Sequence, residues 1–381
     1  MRILITSTDV MMYQFLIPHA LALIEDNNEV DIICSKTELY KNEGYIESIR
    51  SVLGVKHVNT IDNTRSPFSL SNIKTVKIIK SIIDRKIYDL IWTNEPVMSV
   101  LTRLAAREAR KKGTKVLYCA HGYHFFKGAP LKNWLFYPIE KIMAYYCDEI
   151  VLINWEDYYL TKKHMNYVRC AHIDGIGFEP LRFQDVTCDR DIKRKEIGIS
   201  ENEILLICVG ELQKRKNHEP VIDALSLIGD ARIKLFLCGY GELFEYLKDK
   251  VEKLGLNEQV SFLGHRYDIP ELLKAADIFV HPSQREGLGI SVLEAMASGL
   301  PVISSNVQGL KDLIEDGVNG IVVEPYDVNG YAKAIKKLSS FPSLRKQYGL
   351  NNQKKSQKFS LNNSIKEMKV IIQNLIGESR V

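Results

Sequence analysis

The chain has 381 residues, enough for two domains with full cores. Hydrophobic residues make up 45% and charged residues 26%, an ordinary soluble balance, and a formal net charge of +4 is too small to argue for a nucleic-acid partner. The seven cysteines are dispersed, mostly in apolar strand-like runs, with no C-x-x-C pair, which argues for reduced thiols in a cytosolic compartment and against a zinc site or a disulfide framework.

The N-terminus opens directly into the strand-like run Arg2-Ile3-Leu4-Ile5-Thr6-Ser7, so no secretory signal is expected. No run approaches the roughly 18 apolar residues of a membrane-spanning helix. Strand-like runs then alternate with helical patterns: Ile3 to Thr6, Val30 to Cys34, Leu90 to Thr93, Lys115 to Cys119 and Glu149 to Ile153. The rhythm restarts with Ile204 to Val209, Ile233 to Leu237, Val260 to Leu263, Ile278 to His281, Pro301 to Ser304 and Gly320 to Val323. Apolar strands separated by helices indicate parallel sheets covered on both faces, so the fold class is α/β with two doubly wound domains. The first is expected over residues 1–180 and the second over 193–360, with the linker between Gly177 and Lys193, where the sequence is polar and aperiodic. The last helical stretch, within 361–381, fits either domain.

In open parallel sheets ligands lie outside the carboxyl ends of the strands, so the loops there are where chemistry is expected. In the first domain His121 follows a strand and precedes Gly122; a neutral imidazole there can donate or accept a hydrogen bond near pH 7. The stretches Ile73 to Ile87 and Arg103 to Lys115 are basic, and Phe125 to Tyr146 is aromatic. They fit equally a solvated face over a core or a surface resting on an anionic bilayer.

In the second domain Gly210 opens a turn that carries Lys214, Arg215 and Lys216 beside a helix start, where cations and helix dipole together favour a diphosphate. Gly239, in Cys-Gly-Tyr-Gly-Glu, permits close approach of backbone to a ligand, but has two of the three glycines of a dinucleotide fingerprint. Arg266, after the third strand, is placed to stack on a base or meet a phosphate. The densest signal is Arg285 to Gly299. Glycines turn the chain from a buried strand into an apolar helix, Glu286 lies at the helix mouth, and Glu294 lies about one turn inside at roughly 1.5 Å per residue. Free amides at that helix start attract an anion, and flanking carboxylates accept hydroxyl hydrogens, which suits a sugar nucleotide.

The run Pro-Ser-x-x-Glu-Gly-x-Gly-x-x-x-Leu-Glu-Ala-Met-Ala-x-Gly-x-Pro-Val, with the Gly-Glu-Leu and Lys-Asn-His segments and His-Gly-Tyr-His-Phe-Phe-Lys-Gly-Ala-Pro, resembles the retaining glycosyltransferases of family 4. The branch it looks like builds bacterial capsular, exopolysaccharide and related lipid-linked glycans. The resemblance implies the GT-B fold, two Rossmann-like domains facing across a cleft, with the acceptor on the first and the nucleotide sugar on the second. It further implies that Glu294 accepts from ribose hydroxyls, that Glu286 faces the transferred sugar and that the amides of Gly287, Leu288 and Gly289 contact sugar or phosphate. Lys216 matches the diphosphate-binding lysine and His121 the histidine near the reacting sugar. The sequence departs from the pattern twice. Glu211 stands where the family has an arginine, so Lys214 or Arg215 is expected to substitute, or Lys216 to act with the helix dipole alone. Thr8-Asp9-Val10-Met11-Met12-Tyr13 replaces a glycine pair after the first strand, and a side chain is expected to take the place of backbone there.

The activity so implied is retaining transfer of a sugar, an N-acetylhexosamine by resemblance, from a UDP-sugar to a polyprenyl-diphosphate-linked glycan. It would take place in the cytoplasm or on the inner face of the membrane. No metal, and no cofactor beyond the donor, is expected. Two other readings stay open: a sugar-nucleotide epimerase or hydrolase of the same fold, which needs no acceptor, and a non-catalytic module that only holds the nucleotide sugar.

Overall fold

A computed structural model describes residues 1–9, 12–36, 43–63, 66–67 and 69–377. The chain forms two compact units, one of Met1–Gly177 with the last helix, Leu361–Gly377, and one of Phe178–Ser360.

The first unit is built on seven parallel strands: β1 (Arg2–Thr6), β2 (Glu29–Ser35), β3 (Val58–Ile61), β4 (Leu90–Asn94), β5 (Lys115–Ala120), β6 (Glu149–Leu152) and β7 (Arg169–His172), in the order β3-β2-β1-β4-β5-β6-β7. The central strands are buried along nearly their whole length, as Leu-Ile-Trp-Thr-Asn in β4 shows. The strands that the hydrophobic pattern does not reveal are β3 and β7. Each holds four residues at an edge of the sheet, paired on one side, and so needs no continuous apolar run. Under the sheet, fully buried Arg103 donates to Glu140 Oε2 at 3.1 Å and lies 4.3 Å from the centre of the Tyr118 ring. The last helix packs on Tyr13–Glu25, burying Met368, Ile372 and Leu375. Ser364 Oγ there donates to the Gly175 carbonyl at 2.9 Å and meets His19 Nε2 at 3.1 Å.

The second unit has six parallel strands, β8 (Ile204–Val209), β9 (Ile233–Cys238), β10 (Val260–Gly264), β11 (Ile278–His281), β12 (Val302–Ser305) and β13 (Gly320–Val323), in the order β10-β9-β8-β11-β12-β13. Residues 178–192, read from the sequence as linker, are packed into this unit. Helix Leu181–Gln184 contacts helix Ile290–Ala297, and helix Arg190–Glu196, capped by Asp189, ties to Asp277 through Arg190 at 2.7 Å and Arg194 at 3.0 Å. The polar composition of the stretch serves these ion pairs.

Both sheets reverse their strand order at one point, between β1 and β4 and between β8 and β11. Loops leaving adjacent strands in opposite directions open a crevice there. The loops after β8 and β11 carry Lys216 and Glu286, and the loops after β1 and β4 carry Thr8 and Glu95.

Candidate active site

In the second unit four donors converge on one carboxylate oxygen. Glu286 Oε1 accepts from Lys216 Nζ at 2.7 Å, Ser283 Oγ at 2.8 Å, Arg215 Nη1 at 3.1 Å and His281 Nε2 at 3.1 Å. Glu286 is only 8% exposed. Burial pushes its carboxyl up, but Lys216, the His281 hydrogen bond and Arg215 outweigh this and hold it well below the usual carboxylate range. His281 is kept neutral: burial lowers it more than Glu286 raises it. A carboxylate only accepts, so His281 carries its proton on Nε2.

The turn that supplies the cations is held by Asn217, at φ +57°, whose amide donates to the Pro282 carbonyl at 3.0 Å and the Pro325 carbonyl at 2.6 Å. Gln284 N donates to the Arg215 carbonyl at 2.8 Å. Lys214 and Glu211 are exposed, so the cation joining Lys216 at the carboxylate is Arg215. Gly210 lies beneath the Lys216 side chain, and a Cβ on Gly239 would collide with the Gly210 carbonyl, so these two glycines let β8 and β9 end against each other under the lysine.

After β11 the chain passes through Gly289, at φ +95°, into helix Ile290–Ala297. The amides of Leu288 and Gly289 have no hydrogen-bond partner among the described residues. Glu294 lies inside the helix, half-buried, and its carboxyl meets no hydrogen-bond donor among the described residues. Burial pushes it up to about 7, against the opposing charge of Arg182. Arg266 stands apart from this group: its Nε and Nη2 grip Asp268 at 2.8 and 2.6 Å, which engages one edge of the guanidinium within the chain.

In the first unit His121 follows β5, and its Nε2 lies 3.0 Å from Asn94 Oδ1. Asn94 Nδ2 donates to the Thr6 carbonyl at 3.3 Å, which fixes Oδ1 toward the imidazole. His121 therefore carries its proton on Nε2 and keeps Nδ1 as an acceptor. Burial lowers it to about 4, so it is neutral at pH 7. Of the loop after β1, Val10 and Met11 lie outside the described residues. At Thr8 and Asp9 the backbone amides are engaged within the protein: Glu95 Oε2 accepts from the amides of Thr8 at 2.7 Å and Asp9 at 2.9 Å and from Ser7 Oγ at 2.5 Å. Glu95 holds φ +61° and ψ +151°, a conformation costly for any residue but glycine.

Among the described residues, Glu29, Asp31 and His57 have metal-like spacing. The Lys86 ammonium lies 2.9 Å from Glu29 and 2.7 Å from Asp31, supplying the positive charge from within. Sequence reasoning missed His281, Ser283, Asn94 and Glu95. A signal for the first two existed: polar residues two apart at the end of a buried strand share a face.

Residues 4–154 match the family described as Glycosyl transferase 4-like, and residues 189–355 match Glycosyl transferases group 1. The Anabaena protein Alr3699/HepE, solved in complex with UDP and glucose, superposes with a TM-score of 0.79 at 21% identity, over 98% of this chain and 100% of that one. With two doubly wound units, the chain has the GT-B fold of the glycosyltransferases. The Bacillus subtilis protein EpsD, named among the glycosyltransferases, is 39% identical over 78% of this chain and 79% of its own length. An Escherichia coli UDP-Gal:alpha-D-GlcNAc-diphosphoundecaprenol alpha-1,3-galactosyltransferase is 29% identical over 72% of this chain and 73% of its own. The protein belongs to glycosyltransferase family 4.

Proposed function

We propose that the protein moves a sugar, an N-acetylhexosamine by preference, from a UDP-sugar to a hydroxyl of a polyprenyl-diphosphate-linked glycan, with retention at the anomeric carbon. The observation that carries this reading is the ring of donors on Glu286 Oε1. Without donor, Lys216 and Arg215 rest on that carboxylate. A diphosphate takes them as its own partners, and Glu286, still held by Ser283 and His281, accepts from the sugar hydroxyls. The bond from the anomeric carbon to the diphosphate breaks, the bond to the acceptor oxygen forms, and the acceptor proton passes to the leaving diphosphate on the same face. Lys216, Arg215 and the amides of Leu288 and Gly289 stabilise the charge that develops there. Glu294 accepts from the ribose, and His121 Nδ1 accepts from a sugar hydroxyl. The reading calls on no cofactor.

The E. coli relative's name, which pairs a UDP-sugar with a diphosphoundecaprenol acceptor, supports this choice of substrates. For the acceptor's membrane, Leu131, Leu135 and Ile142 stand exposed among Lys132 and Lys141 in the first unit, a face suited to an anionic bilayer on the cytoplasmic side. No described helix is long and apolar enough to cross a membrane.

The test is a screen of UDP-sugars for UDP release, with and without a polyprenyl diphosphate sugar. Release only with acceptor is expected; release or epimer formation from donor alone would favour the epimerase or hydrolase instead. Glu286→Ala and Lys216→Ala should each lower transfer by about a hundredfold or more with the circular dichroism spectrum unchanged. Wild-type rates in both would sink the assignment.

A further inference from the structure

The first unit holds a cavity of about 420 Å³ that the donor chemistry does not use. Its walls are apolar: Val97, Val100 and Leu101 from helix Pro96–Ala105, Phe125 from the loop after β5, and Phe136 and Ile139 from the helical segment that follows. One end is lined by Thr8, Glu95 and His124, at the carboxyl ends of β1, β4 and β5. Most of the polar groups that reach it are engaged within the protein; Thr8 Oγ1 and Asn72 Oδ1, which also belong to the lining, are buried without a partner among the described residues. Glu140 accepts from Arg103 at 3.1 Å and Tyr118 at 3.2 Å, Tyr123 Oη pairs with Thr161 at 3.0 Å, and Glu95 holds the Thr8 and Asp9 amides. A wall mostly of carbon, with most of its polar groups already paired, suits a hydrocarbon, and a sugar there would find too few partners to replace its hydrogen bonds to water.

The other end points to how that hydrocarbon arrives. Ile139 lines the cavity and is also 41% exposed, so the cavity opens onto the surface at this residue. Leu135 at 72% and Ile142 at 59% flank it four positions before and three after, which puts all three on one helical face. An apolar track thus runs from the outer surface of the helix, through the cavity, to the strand ends where Glu95 and the His121 loop lie.

We propose that this cavity seats the first isoprenyl units of the lipid-linked acceptor, with the rest of the tail leaving along the Leu135, Ile139 and Ile142 face. The inference rests on the reading of the acceptor as a polyprenyl diphosphate. The volume lies in the range of small-ligand sites, roughly 300–1,000 Å³, so only the proximal part of a long tail is enclosed and selectivity is for an apolar chain next to the diphosphate.

The test is calorimetric binding of geranyl diphosphate and of inorganic diphosphate to the full chain, with UDP saturating so that the donor's own diphosphate position is filled. Geranyl diphosphate should bind saturably and about tenfold or more tighter than inorganic diphosphate. Val100→Trp, which fills the cavity, should abolish the difference. Ile139→Asp, an exposed position that cannot unfold the core, should weaken geranyl diphosphate several-fold and leave UDP binding unchanged. Equal affinities for the two diphosphates, or wild-type affinity in both variants, would overturn the proposal. The readout requires no sugar transfer: a protein that transfers to lipid-linked glycans without binding geranyl diphosphate overturns the cavity alone. One that binds the tail but transfers to no lipid-linked glycan upholds the cavity and overturns the functional reading.

Discussion

Glu294 is a carboxylate placed where folding disfavours its charge. Burial raises it from 4.5 to about 7, with Arg182 only partly opposing. The folded state binds that proton more tightly than the unfolded chain, so the contribution to stability is complete below pH 4.5 and is lost as pH rises through about 7. Glu294→Gln removes this dependence. Chemical denaturation should find the variant close to wild type near pH 4.5 and more stable by about 3 kcal/mol at pH 8. A difference that does not change with pH would refute the argument. The gain should come at the expense of UDP affinity, because the proposed ribose contact needs the ionised form. Carboxylates that bind substrate are often kept at a cost to the fold.

At the scale of one turn, Lys214, Arg215 and Lys216 are adjacent in sequence but not in role. Asn217, in a left-handed conformation, pins the turn to the Pro282 and Pro325 carbonyls, and this rotation brings Arg215 and Lys216 to Glu286 and leaves Lys214 in solvent. Arg215→Ala should therefore lower kcat/KM by about tenfold or more, mainly through the donor KM, while Lys214→Ala stays within about twofold in the same UDP-release assay. The reverse order would show that the turn is read wrongly. Glu211, where the resemblance leads one to expect an arginine, is exposed, and Arg215 is the cation that reaches Glu286 beside Lys216. Three cations in a row announce a basic loop, but which of them points inward depends on one backbone conformation.

At the scale of the whole chain, the last helix closes the first unit although it follows the second in sequence. Met368, Ile372 and Leu375 are buried against that unit, each contributing roughly 1.5–3 kcal/mol. Their sum is comparable to the stability of a typical domain. A chain ending at residue 360 should show early, separate unfolding of the first unit in hydrogen exchange, with β8 to β13 still protected. Unchanged protection of β1 to β7 would contradict this.

Much of this was legible in the sequence because it depends on local order. The buried strands, the glycine turn into helix Ile290–Ala297, the spacing of Glu286 from Glu294 and the lysine after β8 are all set within one stretch, where periodicity and residue type suffice. The short edge strands β3 and β7 were not legible, because an edge strand needs a neighbour more than it needs an apolar run. Nor were the longer-range contacts of the site: Arg215 and Lys216 on one oxygen of Glu286, Asn94 setting the proton of His121, and Glu95 filling the amides after β1. Arg215 and Lys216 follow β8 whereas Glu286 follows β11, and Asn94 is twenty-seven positions from His121 in the chain. The order of strands alone brings such residues together, and that order is decided by the packing of the whole sheet.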